Sequence, residues 1–266
     1  MNKKIGFIGC GNMGSAMVGG LIKSGFANVQ DIMVSTKSKE SGEKINKELG
    51  IKTTLDNGEV AKFAEVLVLA IKPNMYKDVI YSIKDLLTSD KLIVTIAAGI
   101  SLDNMEEWLG DSCKVIRTMP NTPALVGEAM SAMCHNKNVT AEEVEYITKF
   151  FSSFGDIVEL PEKQFHGFTA LCGSSPAYVF MFIEAMADAA VKLGIPRAKA
   201  YRMAAQSVLG SSKMVLDTKK HPGELKDMVC SPAGTTIDAV VELEKLGFRS
   251  SVIEAMIKCA EKSQSM

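Results

Sequence analysis

The fold of this 266-residue chain is indicated most clearly by the stretch Ile5-Gly6-Phe7-Ile8-Gly9-Cys10-Gly11-Asn12-Met13-Gly14. Its apolar first half predicts a β-strand over Lys4–Gly9, and the pattern that follows predicts a helix over Asn12–Ser24. Between them stands G-x-G-x-x-G, a pattern that is unspecific alone but far more specific at a strand-to-helix turn inside a βαβ unit. The stretch therefore predicts a dinucleotide-binding turn, with an ordinary tight turn as the alternative.

Each position of the turn has a physical task in that prediction. Gly9 permits the tight turn, Gly11 lets the backbone approach a pyrophosphate, and Gly14 lets the helix pack closely on the strand. The N–H groups of Asn12 and Met13 then face the phosphates at the helix N-terminus, where the helix dipole favours negative charge.

Strand and helix patterns continue to alternate through the first 160 residues. The predicted strands are Lys4–Gly9, Ile32–Ser35, Val66–Ile71, Leu92–Ile96, Lys114–Thr118, Ala129–Cys134 and Asp156–Glu159. The predicted helices are Asn12–Ser24, Lys37–Leu49, Met75–Leu87, Leu102–Leu109 and Ala141–Ser152. Such alternation predicts an α/β fold in which a parallel sheet is covered by helices on both faces.

The character of the chain changes after Pro161. Residues 162–266 contain no convincing strand, and their apolar residues recur at helical spacing between Gly and Pro breaks. We expect a bundle of about five helices there. The sequence thus predicts a Rossmann-type, doubly wound dinucleotide-binding domain over residues 1–161. An all-α domain would follow over residues 162–266.

The predicted helix Pro176–Leu193 is apolar on more than one face, because six large apolar side chains follow one another from Tyr178 to Ile183. A helix that is apolar all round must be buried on all sides, which a segment of this size can hardly achieve alone. We therefore predict a homodimer through the C-terminal helices, and the sequence leaves open a higher oligomer. A central helix in a monomeric bundle is the alternative.

The charge and cysteine patterns exclude several classes of protein. The formal net charge of −1 gives no electrostatic reason to expect nucleic acid or an anionic membrane as a partner. The six cysteines are scattered without C-x-x-C spacing, so neither a metal site nor a disulfide scaffold is expected. No signal-peptide pattern begins the chain, and the apolar segment Ala177–Ala187 is interrupted by Glu184. We expect a cytoplasmic protein that is not a membrane protein.

The residues after the second strand bear on the choice of cofactor. A site that prefers NADH usually carries Asp or Glu at this point to bind the ribose hydroxyls. Asp31 instead lies at the start of the strand, whereas its end offers Ser35, Thr36 and Lys37. Hydroxyl and ammonium groups suit a 2′-phosphate. We predict that NADPH is preferred, with NADH as a second possible cofactor; an ordinary solvated loop is the alternative.

Three segments after residue 118 indicate which class of reaction the protein catalyses. They are Met119-Pro120-Asn121-Thr122-Pro123-Ala124, Leu171-Cys172-Gly173-Ser174-Ser175-Pro176-Ala177-Tyr178, and the run from Leu225 to Ala239 that contains Ser231-Pro232-Ala233-Gly234-Thr235-Thr236. With the glycine turn, they closely resemble the pyrroline-5-carboxylate reductases over essentially the whole chain. The resemblance implies NAD(P)H-dependent reduction of 1-pyrroline-5-carboxylate to L-proline, the last step of proline biosynthesis.

The resemblance also implies roles for individual residues. The further cofactor contacts that it implies are Asn57, Ala70, Lys72, Pro73, Ala97 and Gly99. The substrate contacts that it implies are Val229, Ser231, Gly234, Thr235 and Thr236. Among these, Thr236 would be the catalytic residue and would donate a hydrogen bond to the ring nitrogen of the substrate. Two departures, Ser175 and Ala233, stand where the family commonly has glycine, and they could tighten the pocket.

The chemistry is compatible with these residues. Hydride transfer to a protonated imine needs positioning more than a strong general acid, which fits a sequence without a convergent His or carboxylate pair. The segment Ser231–Thr236 leads into the amphipathic run Ile237–Leu246, so its N–H groups cluster at a helix N-terminus and could bind the substrate carboxylate. Alternatively, Ser231 and Thr235 are only capping residues.

Other interpretations stay open at this stage. The three histidines lie far apart and favour surface or capping roles, and Arg117 could contact phosphate or form a salt bridge. A β-hydroxyacid dehydrogenase would need a lysine on the interdomain helix, but Gly173–Phe182 contains none. A non-catalytic NADP(H)-binding protein would keep the glycine turn without needing Ser231–Thr236.

Overall fold

The computed structural model describes residues 3–265. They form two compact units, one that runs to Gly173 and includes the end of the last helix from Lys262, and one from Ser174 to Glu261. The domain boundary between residues 161 and 162 lies upstream of this division and stays a prediction.

The first unit contains an eight-stranded sheet and its flanking helices. The strands are β1 (Ile5–Ile8), β2 (Ile32–Ser35), β3 (Lys52–Thr54), β4 (Val66–Leu69), β5 (Leu92–Thr95), β6 (Lys114–Met119), β7 (Ala129–His135) and β8 (Gly155–Glu159). The helices are α1 (Asn12–Lys23), α2 (Lys39–Leu49), α3 (Asn57–Phe63), α4 (Tyr76–Ile83), α5 (Leu102–Leu109), α6 (Ala141–Ser152) and α7 (Phe165–Phe168).

The strand order is β3-β2-β1-β4-β5-β6-β7-β8. Strands β1 to β6 pair in parallel, β7 is antiparallel to β6, and β8 is parallel to β7. The chain moves outward from β1 to one edge and then returns to its other side at β4. The carboxyl ends of β1 and β4 therefore border the topological switch point, where ligands of such sheets bind. This arrangement confirms the predicted Rossmann-type fold.

Alternate side chains of the central strands build two hydrophobic clusters. Phe7 on β1 and Val68 on β4 pack in one cluster with Phe150 of α6. Their neighbours Ile8 and Leu67 belong to the other cluster. Both faces of the sheet are therefore covered, which explains why these strands are continuous apolar runs without alternation.

Two elements were not predicted, strand β3 and helix α3. Strand β3 has only three residues at the sheet edge, and none is buried, so it carries no apolar pattern. Helix α3 was detectable from its N-cap, since the Asp56 carboxylate accepts a 2.7 Å hydrogen bond from the Gly58 N–H. The predicted helix Met75–Leu87 is shorter than expected: α4 ends at Ile83, and a 3-10 turn follows.

The second unit is helical, with five helices. They are α8 (Ser175–Lys192), α9 (Arg197–Thr218), α10 (Pro222–Val229), α11 (Thr235–Lys245) and α12 (Phe248–Gln264), of which α12 ends in the first unit. No strand occurs in the described residues from 162 to 265, in agreement with the sequence pattern.

This helical unit has almost no core within one chain. Its buried apolar residues are Ala187, Ala200, Ala204 and Leu225. Large apolar side chains are instead exposed: Phe180 is 64% exposed and Met181 is 68% exposed on α8. Within the run Glu162–Lys192, an 18-residue window has a mean hydropathy of 1.3, which meets the length and composition of a membrane span, and 11% of that window is buried in one chain. Such a surface requires a covering partner.

Candidate active site

The glycine turn lies on a cavity of about 640 Å³ at the carboxyl ends of β1, β2 and β4. A second cavity of about 350 Å³ shares Gly11, Ala70 and Lys72 with the first. Between them the two cavities are lined by nearly all residues predicted to contact the cofactor: Gly9, Gly11, Asn12, Met13, Gly14, Ser35, Thr36, Lys37, Asn57, Ala70, Lys72 and Pro73.

Each of the three glycines of the turn is present for a different local reason. Gly9 has φ +83°, and a Cβ there would lie 2.6 Å from the Ile71 side chain, so only glycine fits. A Cβ on Gly14 would lie 3.3 Å from the Gly9 carbonyl oxygen, close to the turn itself. A Cβ on Gly11 would meet no atom within 4 Å, because Gly11 faces open space in the cavity. The turn thus leaves an open cradle above its middle glycine.

Helix α1 begins at this cradle without a side-chain cap. Its N-cap is Gly11, and its first turn contains no acidic residue. The N–H groups of Asn12 and Met13 therefore stay available to an anion at the positive end of the helix dipole. The Cys10 thiol lies beside them, 3.4 Å from the Ser15 hydroxyl, and burial raises the pKa of Cys10, which keeps it neutral. This end of the cavity suits a phosphate group.

The end of β2 is fixed by hydrogen bonds to both sides of the cavity. The Ser35 carbonyl accepts a 3.1 Å hydrogen bond from the Gly9 N–H, and the Ser35 hydroxyl donates to Asn57 Oδ1 at 2.7 Å. The Asn57 amide nitrogen has no partner in the described part of the chain and can donate into the cavity. Asp31 lies at the opposite end of β2, paired with Lys4 at 2.6 Å, as its sequence position predicts.

A buried tyrosine joins the carboxyl ends of β4 and β5. The Tyr76 hydroxyl donates to the Leu69 carbonyl at 2.6 Å and accepts from the Thr95 hydroxyl at 3.0 Å. Burial raises the pKa of Tyr76 to about 12, so it stays a neutral donor. The loops that carry Ala70 and Ala97 are thereby held together at their bases. Ala97 itself is buried, and neither it nor Gly99, which has φ +79°, lines the two cavities.

In the second unit, the segment from Val229 to Thr236 connects α10 to α11. The N-cap of α11 is Gly234, and no side chain caps the helix. Thr235 and Thr236 are therefore the first two helical residues, so the alternative that Ser231 and Thr235 are only capping residues is not supported. Thr236 is half-buried, and its hydroxyl makes no hydrogen bond within residues 3–265. A free hydroxyl and uncapped N–H groups thus lie together at this helix start.

Ala233 in this segment has a left-handed backbone, with φ +54°. This conformation costs a residue with a side chain roughly 1–2 kcal/mol, and glycine avoids the cost. Gly234 is constrained differently, since a Cβ there would lie 2.4 Å from the Ser231 hydroxyl oxygen. Ser175, the other departure, begins α8 with no such constraint.

Replacing Ala233 with glycine is expected to raise the free energy of unfolding by about 0.5–1 kcal/mol, because the strain relieved exceeds the entropy that glycine adds to the unfolded chain. A urea titration that is monitored by circular dichroism measures this free energy of unfolding. In the matched control Ala239→Gly, which lies in the interior of α11, the free energy of unfolding is expected to fall by about 1 kcal/mol. A loss of stability in both variants would contradict the strain assigned to Ala233.

Arg117 and the histidines have structural partners. Arg117 forms a salt bridge with Glu162 at 2.6 Å, and its guanidinium lies over the Phe165 ring at 4.6 Å. Of the two roles considered for Arg117, the salt bridge is therefore the one that the structure shows. His221 caps α10 by accepting from the Gly223 N–H at 3.1 Å. Across the described residues, no group of three or more His, Cys, Asp or Glu side chains is placed to hold a metal ion.

The residues of the larger cavity that were not predicted include Ser41 and Leu55. Ser41 lies in the first turn of α2, and Leu55 follows β3 with 60% of its surface exposed. The N-cap Ser38 marked the start of α2 and could have pointed to Ser41, three residues later. Leu55 carried no signal, because β3 itself was not predicted.

Two family models match the chain. The model described as "Pyrroline-5-carboxylate reductase dimerisation" covers residues 162–266. The model described as "NADP oxidoreductase coenzyme F420-dependent" covers residues 4–99.

Similar proteins cover the chain from end to end. A pyrroline-5-carboxylate reductase of Escherichia coli is 51% identical over 266 residues, which are 100% of this chain and 99% of that protein. One from Pisum sativum is 42% identical, covering 98% of this chain and 95% of that protein. The solved pyrroline-5-carboxylate reductase of Coxiella burnetii has a TM-score of 0.94 at 33% identity and covers 100% and 98% of the two chains. A Plasmodium falciparum pyrroline carboxylate reductase with NADP bound has a TM-score of 0.89 at 35% identity and covers 99% and 98%.

Proposed function

This chain belongs to the pyrroline-5-carboxylate reductase family, and we propose that it catalyses the NAD(P)H-dependent reduction of 1-pyrroline-5-carboxylate to L-proline, the last step of proline biosynthesis. The observation that carries the proposal is the 51% identity with a reductase of this name along the whole chain, combined with the open cradle at Gly11. It is an oxidoreductase reaction in which a C=N bond becomes CH–NH.

The residues of the larger cavity fit a dinucleotide. The open space at Gly11 and the uncapped start of α1 would hold the pyrophosphate. The Asn57 amide and the loop from Ala70 to Pro73 would position the remainder along the same groove. When bound, the reduced nicotinamide supplies the hydride. No acidic side chain lines either cavity, which favours a ligand that carries negative charge.

The start of α11 would bind the substrate. Its uncapped N–H groups would hold the carboxylate without an arginine, and the Thr236 hydroxyl would orient the imine nitrogen. Val229, Ser231 and Gly234 would complete the surroundings. Because a protonated imine is already electrophilic, positioning by these groups suffices, and no strong general acid is needed.

We propose NADPH as the preferred cofactor. The Lys37 ammonium lines the cavity at the end of β2, and Asp31 is engaged with Lys4 at the far end of the strand. Initial rates measured at several concentrations of NADPH and NADH give kcat/KM for each. A clear preference for NADH would contradict this assignment.

A homodimer would cover the exposed helices of the second unit. The side chains left exposed in one chain include Phe180, Met181 and Leu193, the last at 83%. At about 25 cal/mol per Å² of apolar surface, their burial strongly favours association. The same dimer would account for the apolar run Glu162–Lys192 without a membrane. We propose a cytoplasmic location, as expected for a relative of these reductases.

Sedimentation velocity is expected to give an even multiple of the mass of one chain and no monomer at any concentration that can be measured, because the helical unit has almost no core within one chain. A monomer that keeps its helical circular dichroism would contradict the dimer.

Two rival functions are separated by one assay. A β-hydroxyacid dehydrogenase would need the lysine that Gly173–Phe182 lacks, and a non-catalytic NADPH-binding protein would not oxidise its ligand. NADPH oxidation is followed at the nicotinamide absorbance with 1-pyrroline-5-carboxylate and with a panel of ketoacids, and NADP+ reduction is followed with the corresponding hydroxyacids. We expect turnover with the cyclic imine; turnover only with the acids would favour the dehydrogenase.

A further inference from the structure

The loop after β6 forms part of the wall of the smaller cavity. Pro120 is buried in this loop and lines the cavity of about 350 Å³, together with Ile96 after β5 and the residues of the glycine turn. Met119 ends β6, and Asn121 follows Pro120, so these two residues flank the residue in the wall. The position of this part of the wall therefore depends on what holds Met119 and Asn121.

The side chain of Asn121 is held at both ends of its amide group. Asn121 is 8% exposed, and its Oδ1 accepts a 2.9 Å hydrogen bond from the Met130 N–H of β7. Its Nδ2 donates to the Cys172 carbonyl, also at 2.9 Å. The opposite orientation of the amide would bring two donors together and two acceptors together, so only this orientation satisfies both contacts. Asn121 thus links the loop after β6 to β7 and to a segment much later in the chain.

The segment that carries the Cys172 carbonyl is a π-helical turn, Thr169–Gly173, which we call the π turn. It is the last element of the first unit before the chain enters the second. Single π-helical turns occur frequently at functional sites. The Thr169 hydroxyl oxygen lies 3.2 Å from the Met119 sulfur, and a Cβ on Gly173 would lie 3.2 Å from the Met119 methyl carbon. Both neighbours of the wall residue therefore contact the π turn.

These contacts join two of the segments on which the family resemblance rests. The segment that begins at Met119 and the segment that begins at Leu171 meet through Asn121. Asn121 itself lines neither of the two cavities, so it is not placed to contact the cofactor. Its contribution to the reaction would act through Pro120, its neighbour in the wall.

We infer that Asn121 is a positioning residue for hydride transfer, because it fixes Pro120 in the cavity wall by linking the loop after β6 to the π turn. The inference rests on the proposed reductase function. Hydride transfer requires the nicotinamide and the imine carbon to be held close together, and a displacement of about 1 Å can cost about 100-fold in rate. Pro120 does not line the larger cavity at the end of β2, so binding of the adenosine half of the cofactor does not depend on this link.

Asn121→Asp tests the inference with a side chain of the same shape. The variant replaces the Nδ2 donor with an oxygen that faces the Cys172 carbonyl. At neutral pH it is expected to lower kcat for 1-pyrroline-5-carboxylate by about 10- to 100-fold. The Kd of 2′-phospho-ADP-ribose, which lacks the nicotinamide, is measured by calorimetry and is expected to stay unchanged.

The pH profile of this variant distinguishes positioning from a general loss of structure. Burial against a carbonyl oxygen raises the pKa of a carboxyl group, and the protonated form can again donate to Cys172 while it accepts from Met130. The ratio of the variant's kcat to the wild-type kcat at the same pH is therefore expected to rise as the pH falls from about 8 to about 5.5. Burial also raises the pKa of the Cys172 thiol, which stays neutral over this range. Asn121→Leu cannot donate at any pH and is expected to show no such rise.

Asn138→Asp is the matched control. The Asn138 Nδ2 also donates to backbone carbonyls, those of Asp111 at 2.6 Å and Cys113 at 2.9 Å, but Asn138 lines neither cavity. This variant is expected to lower the melting temperature and to keep the wild-type kcat. Wild-type kcat in a folded Asn121→Asp protein, or an equal loss of kcat in Asn138→Asp, would overturn the inference.

Hydrogen exchange of the backbone amides of residues 169–173 provides a measurement without turnover. Asn121→Asp at neutral pH is expected to speed this exchange by about tenfold, as for the loss of one hydrogen bond. Unchanged exchange would overturn the link between Asn121 and the π turn. A wild-type protein that does not reduce the imine would instead contradict the proposed function, and the exchange result would still decide whether the link exists.

Thr169→Val tests the same link from the side of the π turn if the Asn121 variants do not fold. It removes the hydroxyl beside the Met119 sulfur and is expected to lower kcat by about fivefold, with the Kd of 2′-phospho-ADP-ribose unchanged. Circular dichroism checks that this variant is folded. Wild-type kcat in the folded Thr169→Val protein would count against the inference.

Discussion

Replacing Gly11 with valine is expected to leave the protein folded and to raise the KM for NADPH by about 100-fold, since a misplacement of roughly 1 Å at such a site can cost that factor. The backbone of Gly11, with φ −78° and ψ −163°, is extended and accepts any residue. No atom within 4 Å would resist the new side chain. Its methyl groups would instead occupy the space that the pyrophosphate needs.

Gly9→Ala provides the contrast in the same turn. Its Cβ would lie 2.6 Å from the Ile71 side chain and 2.7 Å from the Ala70 carbonyl, at a positive φ. This variant is expected to lose thermal stability, whereas Gly11→Val keeps it. Thermal unfolding and NADPH titration of both variants separate the two effects. A Gly11→Val protein that binds NADPH as tightly as the wild type would contradict the cradle.

Thr236→Ala is expected to fold normally and to lose about 10- to 100-fold in kcat/KM for 1-pyrroline-5-carboxylate, the cost of one hydrogen bond in the transition state. The hydroxyl has no partner within the described chain, so its removal leaves no buried group unsatisfied. NADPH affinity should not change, because the proposed partner of the Thr236 hydroxyl is the imine nitrogen of the substrate.

Thr236→Ser restores a hydroxyl and is expected to recover most of the lost rate. Steady-state kinetics at saturating NADPH measures both variants, with melting curves as the folding control. Wild-type rates in a folded Thr236→Ala protein would mean that Thr236 has no catalytic role.

The central sheet was predictable because its strands are buried on both faces. Continuous apolar runs marked β2 with the correct bounds, and they marked β1, β4 and β5 to within a residue or two. The edge strand β3 escaped, since its three residues are not buried and gain nothing from apolar side chains. Local propensity could not reveal it, because its pairing with β2 is a tertiary contact.

The glycine turn was predictable because its backbone geometry permits few residues. The roles of the hydroxyls after β2 were less predictable, because the sequence shows which donors exist but not which of them already donate a hydrogen bond within the protein. Only the fold shows that Asn57 takes the Ser35 hydrogen and that Ser38 takes that of Thr36. Ser41 enters the cavity for the same reason, through the placement of α2 beside β2.

Transfer of deuterium from the cofactor to the product tests whether the chain reduces 1-pyrroline-5-carboxylate. The enzyme is incubated with this imine and with NADPH that carries deuterium at the transferable position of the nicotinamide. We expect one L-proline for each NADPH oxidised, with the deuterium on the former imine carbon. NADPH that stays unoxidised in the presence of the imine, or oxidation without labelled proline, would contradict it.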